Sequence, residues 1–401
     1  MTVTRIGILG AGTMGRGIAQ VAALGGFETR LYDAFPEAAD AAAVKLRETL
    51  AKGAARGRWS DDEADAASNR IGPAHGLGDL DGCELLIEAA PEDLALKQKL
   101  FATAAGVCGP ETILASNTSS LRVTDIAAGV PGPERLVGMH FFNPPALMKL
   151  VEVVATERSS EQALAATTEV ARAMGKTPIR ARDTPGFVVN RLARPFSLES
   201  LRMLGEGLAD APTIDRVVRL GGGFRMGPFE LIDLIGLDVN LTIARSFYTQ
   251  GGEPERWRPS AIQERLVAAG KLGRKSGEGY YAYRDGDKRE PDPELDVDAP
   301  TLDPEQLALI DATAGTILPR LVAQIANEAA FALEEGVASP ADMDTAMRLG
   351  LNWPLGPLDL AAMIGAGRAV ELLTELEREH GGAYAPAPLL RQAAERGVEL
   401  R

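Results

Sequence analysis

Arg5-Ile6-Gly7-Ile8-Leu9 forms a short apolar run, and the period then changes, with Ile18, Ala19, Val21 and Ala22 recurring at helical spacing. The run reads as a buried strand, and the segment after it as a helix packed on that strand. Thr29-Arg30-Leu31-Tyr32, Leu85-Leu86-Ile87-Glu88-Ala89-Ala90 and Thr112-Ile113-Leu114-Ala115 are further strand runs. Strands alternating with helices predict a doubly wound sheet, whose ligands bind beyond the carboxyl ends of the strands. Glu92, Ser119 and His140 fall at such ends, which places them over one crevice.

From about Asp183 to Tyr283 the pattern is helical, and residues 284–303 have the charged, Pro-rich composition of a linker. The remainder repeats what came before. Arg191-Leu192 returns as Arg320-Leu321, Glu199 as Glu328, Glu206-Gly207 as Glu335-Gly336, Asp215 as Asp344 and Gly227-Pro228 as Gly356-Pro357, at a constant offset of 129. Such a period predicts a duplicated helical domain. The copies differ where chemistry is concerned, since Asn190 of the first becomes Pro319 in the second. The second copy is therefore expected to pack on the first, as a partner subunit does in a symmetric dimer. A second binding site is the alternative. The expected state is a monomer with an internal pseudo-dimer, or a homodimer. Removing residues 304–401 is expected to expose an apolar face on the first copy.

The turn after the first strand is Gly10-Ala11-Gly12-Thr13-Met14-Gly15. Its glycines allow a tight turn, close approach of a pyrophosphate, and close helix–strand packing. Asp33 ends the second strand about twenty residues on, where an acid accepts a hydrogen bond from the adenosine ribose. No arginine directly follows it to meet a 2′-phosphate, which favours NAD over NADP. The fold expected is thus an α/β, Rossmann-type doubly wound domain over 1–183. Two all-α helical domains follow, 184–283 and 304–401, joined by the 284–303 linker.

Glu152 stands among Val151, Val153 and Val154, and a carboxylate is costly to bury without a partner. His140, twelve residues earlier, would supply one. The pair has the makings of a general base near neutral pH, though a buried His–Glu hydrogen bond without chemistry fits these residues too.

The net charge of −14 over 401 residues argues against nucleic acid and anionic membrane as partners. No apolar run has the length of a membrane span, the first strand begins within five residues of Met1, and only Cys83 and Cys108 are cysteines. A reduced, cytoplasmic setting without a leader is expected. No metal site is expected. Positive charge gathers locally at Lys45, Arg47, Lys52, Arg56 and Arg58. That cluster could receive phosphate groups, or be a solvated helix face.

Together these segments resemble the 3-hydroxyacyl-CoA dehydrogenase family along essentially the whole chain. The resemblance is carried by Gly10 to Gly15, Glu88-Ala89-Ala90-Pro91-Glu92 with Lys97, Ser116 to Leu121, His140-Phe141-Phe142-Asn143-Pro144, Glu152, Pro185 to Arg191 and Gly273 to Tyr280. The duplicated helical domain resembles the longer members, without their hydratase region. The resemblance implies NAD-dependent, reversible oxidation of L-3-hydroxyacyl-CoA, with acyl-CoA in the cleft between the domains. It makes His140 the base, Glu152 its support, and Ser119 and Asn190 holders of substrate oxygens. Glu92, Lys97, Asn143 and Lys275 become cofactor contacts, beside Gly10, Gly12, Thr13, Met14, Gly15, Asp33 and Ser119. Lys52, Arg56 and Arg58 are candidate contacts to the CoA phosphates. Pro91 departs from the aliphatic or polar residue more usual there. Dehydrogenation of a small free hydroxy acid, of sugar-acid or carnitine type, and non-catalytic NAD binding are the alternatives.

Overall fold

A computed structural model describes residues 2–284, 288–289 and 304–401. Contacts divide the chain into two compact units, Met1–Phe187 and Val188–Arg401. The first begins with β1 (Arg5–Leu9), α1 (Thr13–Leu24), β2 (Glu28–Tyr32), α2 (Pro36–Ala54), α3 (Asp61–Arg70) and β3 (Ile71–Ala74). It continues through β4 (Leu85–Glu88), α4 (Leu94–Val107), β5 (Ile113–Ser116), α5 (Val123–Ala127), β6 (Leu136–Phe141), β7 (Leu150–Ala155), α6 (Glu161–Ala173) and β8 (Thr177–Arg182).

These strands form one sheet in the order β3-β2-β1-β4-β5-β6-β7-β8. The strands from β1 to β6 run parallel. Strand order reverses between β2-β1 and β4, and a doubly wound sheet opens its ligand crevice at that switch point. Ile6, Ile8, Ile18, Leu31, Ile87, Val137, Met139, Val151 and Val153 are sealed in the core beneath it. Each such aliphatic side chain contributes about 1.5–3 kcal/mol by leaving water.

Two features depart from the pattern read in the sequence. β7 runs antiparallel to β6, and β8 runs parallel to β7, so the far end of the sheet is reversed. β3 carries Gly72 and Pro73, which mask a strand in any hydrophobicity pattern. It is tolerated because β3 is the sheet edge, where a missing N–H breaks no ladder.

The second unit is helical: α7 (Val189–Leu192), α8 (Arg194–Gly205), α9 (Ala211–Arg216), α10 (Pro228–Ile235), α11 (Leu237–Gln250) and α12 (Ala261–Ala268). A two-stranded ladder, β9 (Tyr283–Arg284) with β10 (Lys288–Arg289), follows. The rest of the 284–303 linker lies outside the described residues. Then come α13 (Pro304–Glu334), α14 (Pro340–Gly350), α15 (Pro357–Ile364), α16 (Ala366–His380) and α17 (Pro388–Arg396). Both helical copies therefore belong to one unit.

The duplication is visible in three dimensions. α14, α15 and α16 start 129 residues after α9, α10 and α11. Asp215 accepts from the N–H groups of Phe229 and Glu230 at the start of α10, and Asp344 accepts from Leu358 N–H at the start of α15. A side chain at Gly227 or Gly356 would meet that aspartate at 2.2 or 2.0 Å, so both copies keep glycine there.

Arg191 donates Nε to Glu328 at 2.8 Å and grips Glu335 bidentately at 2.6 and 2.8 Å. Arg320 does the same in mirror image, pairing with Glu199 and gripping Glu206 at 2.6 and 2.8 Å. Each arginine of one copy holds the two glutamates of the other, which is the isologous pattern of a symmetric dimer. α8 packs on α13 beside these pairs. Deleting residues 304–401 would strip Glu199, fully buried, of Arg320. The truncated chain is expected to aggregate or pair with itself in light scattering. A soluble, stable monomer of it would sink the pseudo-dimer reading.

Candidate active site

β6 and β7 pair in a register that sets His140 directly opposite Glu152. Residues twelve apart in sequence thus become cross-strand neighbours, and His140 Nδ1 lies 2.6 Å from Glu152 Oε2. His140 is 6% exposed and Glu152 0%. With Nδ1 engaged, Nε2 is the ring atom left for proton exchange. The rings of Phe142 and Phe187 stand 4.6 and 5.8 Å from the imidazole and keep its surroundings apolar. Asn117 Oδ1 accepts from Phe141 N–H at 2.8 Å and fixes the end of β6.

The loop between β6 and β7 carries Asn143, which is exposed. Its far side is pinned by Lys176, whose ammonium donates to the carbonyls of Pro145 and Met148. Burial, with Lys149 nearby, pulls Lys176 down to about 8.

At the switch point lies a crevice of about 870 Å³, lined by Gly10, Gly12, Thr13, Met14, Asp33, Phe35, Leu77, Ala90, Leu96 and Lys99 among others. Gly10 has φ +114°, open to glycine at little cost. A Cβ on Gly15 would sit 1.7 Å from the Gly10 carbonyl oxygen, so α1 can pack this close only on glycine. A Cβ on Gly12 would meet nothing within 4 Å and would project into open space. That space lies at the N-terminus of α1, where backbone N–H groups receive a pyrophosphate. Asp33 Oδ2 accepts from Ala11 N–H at 2.8 Å and Oδ1 from Phe35 N–H at 3.2 Å, tying the glycine turn to β2. A carboxylate has further lone pairs for a ribose hydroxyl. The donor set and the cradle fit a dinucleotide.

Gly12→Ala tests this cradle, since the added Cβ meets no protein atom within 4 Å. The melting temperature is expected to hold while the NADH dissociation constant rises on the order of 100-fold, about 2.7 kcal/mol. An unchanged constant in a fluorescence titration would place the cofactor elsewhere.

Glu92 joins the loops after β4 and β5. Its Oε1 accepts from Thr118 Oγ1 at 2.6 Å and from the N–H groups of Ser119 and Ser120 at 2.9 and 3.0 Å. Burial pushes its pKa up, but the Lys97 charge and these donors outweigh that and hold it below the usual range. Lys97 is itself buried, its ammonium 2.6 Å from Glu88 and 3.1 Å from Glu92. Ser116 Oγ donates to the other oxygen of Glu88 at 2.6 Å. Burial raises Glu88 above the usual carboxylate range in spite of Lys97. Lys97 and Glu92 therefore form a clamp that presents Ser119, whose side of the loop is exposed. Glu88, Ser116, Asn117, Thr118 and Lys176 escaped the sequence reading as individuals. Only Glu88 gave a signal, as a lone acid inside an apolar strand.

Asn190 and Lys275 belong to the second unit. Asn190 lies on α7, and its carbonyl accepts from Arg194 Nε at 3.1 Å. Lys275 is exposed and held 2.7 Å from Asp238. Of the basic cluster, Lys52, Arg56 and Arg58 are exposed. Arg47 is exposed as well, but its guanidinium is engaged with the carbonyl of Ile71 at 2.7 Å.

The described residues hold no group of three or more His, Cys, Asp or Glu able to bind a metal ion. No described helix is long and apolar enough to cross a membrane.

Comparison with known proteins matches residues 5–184 to the NAD binding domain of 3-hydroxyacyl-CoA dehydrogenase, and residues 186–283 and 315–399 to its C-terminal domain. The chain belongs to the 3-hydroxyacyl-CoA dehydrogenase family. It is an NAD-dependent oxidoreductase. A 3-hydroxyadipyl-CoA dehydrogenase of Escherichia coli is 37% identical, covering 98% of each chain. A probable 3-hydroxybutyryl-CoA dehydrogenase of Bacillus subtilis is 42% identical over 71% of this dehydrogenase and 99% of its own, shorter length. A crystal structure of 3-hydroxybutyryl-CoA dehydrogenase from Escherichia coli superposes with a TM-score of 0.91, at 35% identity over 99% of both chains.

Proposed function

We infer that this dehydrogenase interconverts L-3-hydroxyacyl-CoA and 3-ketoacyl-CoA, with His140 as general base. The observation that carries the reading is the buried His140–Glu152 pair, 2.6 Å apart at the end of β6. Bound NAD supplies the hydride acceptor. His140 Nε2 takes the 3-hydroxyl proton, and Glu152 holds the ring in the tautomer that can accept it. As the imidazolium forms in an apolar enclosure, the Glu152 carboxylate offsets its charge. Ser119, presented by the Glu92 clamp, and Asn190 hold the hydroxyl and thioester oxygens.

Gly10, Gly12, Thr13, Met14, Gly15 and Asp33 hold the pyrophosphate and adenosine half. Glu92, Lys97, Ser119, Asn143 and Lys275 serve the nicotinamide half, Lys97 through Glu92. The exposed Lys52, Arg56 and Arg58 meet the CoA phosphates. The paired helical copies let one chain act as a monomer.

The test is NADH oxidation with acetoacetyl-CoA, longer 3-ketoacyl-CoAs and 3-ketoadipyl-CoA, beside free acetoacetate and NADPH. The relatives' names differ in acyl group, so the ranking of esters carries information of its own. Turnover of CoA esters with NADH is expected; turnover of free acetoacetate alone would overturn the reading. Arg56→Glu with Arg58→Glu is expected to raise KM for every CoA ester about tenfold, as loss of phosphate contacts does, with kcat kept. An unchanged KM would return that cluster to a solvated helix face.

A further inference from the structure

Residues 143–149 join β6 to β7, and most of them face solvent. Asn143, Pro144, Ala146, Leu147 and Lys149 are exposed, Met148 is half-buried, and Pro145 alone is buried. So little burial cannot hold a loop still, and its position depends on what grips it from outside. Its own bonds close one small turn, in which the N–H groups of Leu147 and Met148 share the Pro144 carbonyl, each at 3.0 Å. Two grips come from elsewhere in the same unit. Pro145 rests on Gly17 of α1, where an added Cβ would stand 2.8 Å from Pro145 Cδ. Lys176 reaches across from the turn between α6 and β8, donating to the Pro145 carbonyl and, at 2.9 Å, to that of Met148.

Both grips lead back to one helix. The end of α6 approaches Gly25, just past α1, so closely that a Cβ there would stand 2.8 Å from the Ala173 carbonyl oxygen. The turn that carries Lys176 is thus set against α1, as Pro145 is. It is α1 whose N-terminus forms the pyrophosphate cradle. The loop that carries Asn143 is therefore placed by reference to that cradle.

Lys176 is 8% exposed, and its partners are carbonyls rather than carboxylates. Burial, joined by Lys149, disfavours its charge, and no acidic group opposes them. An amide side chain would satisfy a carbonyl without the desolvation of an ion. What the ammonium adds is a pair of charge-assisted bonds, shorter and roughly twice as strong as neutral ones. Such tightness matters where a side chain two residues from the grip must meet a ligand.

We propose that Lys176 is a positioning residue for the nicotinamide half of the cofactor, fixing through the loop backbone where Asn143 stands relative to the α1 cradle. This rests on the reading that Asn143 meets the nicotinamide half.

Two ligands separate the halves. NADH needs both, whereas ADP carries the adenosine and the pyrophosphate alone. In Lys176→Met the NADH dissociation constant is expected to rise about tenfold, while that of ADP stays within about twofold by calorimetry. If Lys176→Met does not fold, Lys176→Gln, which still donates to a carbonyl, should show the same split at about threefold. In a double-mutant cycle, Asn143→Ala with Lys176→Met should weaken NADH no more than Asn143→Ala alone, because the lysine acts through the asparagine.

Equal weakening of NADH and ADP would make Lys176 a residue of the fold alone and overturn the proposal. So would an unchanged NADH constant in the Lys176 variants, or a double variant weaker than Asn143→Ala by a further factor of about ten. If Asn143→Ala itself binds NADH as the native enzyme does, the reading of Asn143 falls, and the role of Lys176 with it. Turnover of CoA esters by the native enzyme would leave the dehydrogenase reading standing in each case.

Discussion

His140→Gln is expected to lower kcat on the order of 10³-fold while leaving the NADH dissociation constant within twofold. Glutamine keeps most of the volume between Phe142 and Phe187 but cannot take up a proton. The nucleotide crevice is built by the turn after β1 and the ends of β2 and β4, and owes nothing to this residue. Glu152→Gln should cost less, since an amide oxygen still accepts from Nδ1 and only the compensating charge is lost. Steady-state kinetics with a 3-ketoacyl-CoA and a parallel NADH titration separate the two effects. A His140→Gln enzyme keeping more than about a tenth of its kcat would show that another group moves the proton.

The second large effect is on stability. Arg191 is 0% exposed, and Arg191→Met leaves Glu328, 3% exposed, short of its principal cation. Arg256 Nε and Trp257 Nε1, each 3.0 Å from the other oxygen of Glu328, remain as partial compensation. Breaking a buried ion pair from one side costs about 3–5 kcal/mol. For a chain of this size the melting temperature should fall on the order of 10 °C. Replacing Arg191, Arg256, Glu328 and Glu335 together by apolar residues, with Trp257→Phe so that no indole N–H is stranded, should recover much of the loss, because the cost lies in the orphaned charge. Chemical denaturation checks both, and a fall under about 1 kcal/mol for Arg191→Met would mean that the copies are held by packing alone.

The sequence disclosed most where one residue type had one physical reason. Gly10 and Gly15 announced a tight turn and a close helix–strand approach, and both are found, while Gly12 leaves open space beside the turn. His140 and Glu152 were legible because a carboxylate in a valine run needs an explanation. The antiparallel turn that brings them opposite was not legible, since periodicity cannot tell the direction of a strand. Glu92 and Lys97 were read as cofactor contacts through the resemblance, but their clamp with Glu88, Thr118 and Ser120 arises only when two loops meet. The repeat disclosed the duplication, but not that Arg191 and Arg320 reach across to the other copy, because an offset along the chain carries no information about crossing between copies.

Covalent joining of the two helical copies changes what dilution can do. Two separate chains holding the same pattern of arginines and glutamates would fall apart at low concentration, and their stability would depend on how much protein was present. Here the partner is always supplied by the same molecule. Symmetry is released as well. In a dimer of identical chains a substitution at the counterpart of Arg191 strikes both halves of the interface at once, whereas this chain can alter Arg191 and keep Arg320. Each copy is therefore free to differ from the other, as Asn190 in one and Pro319 in the other do.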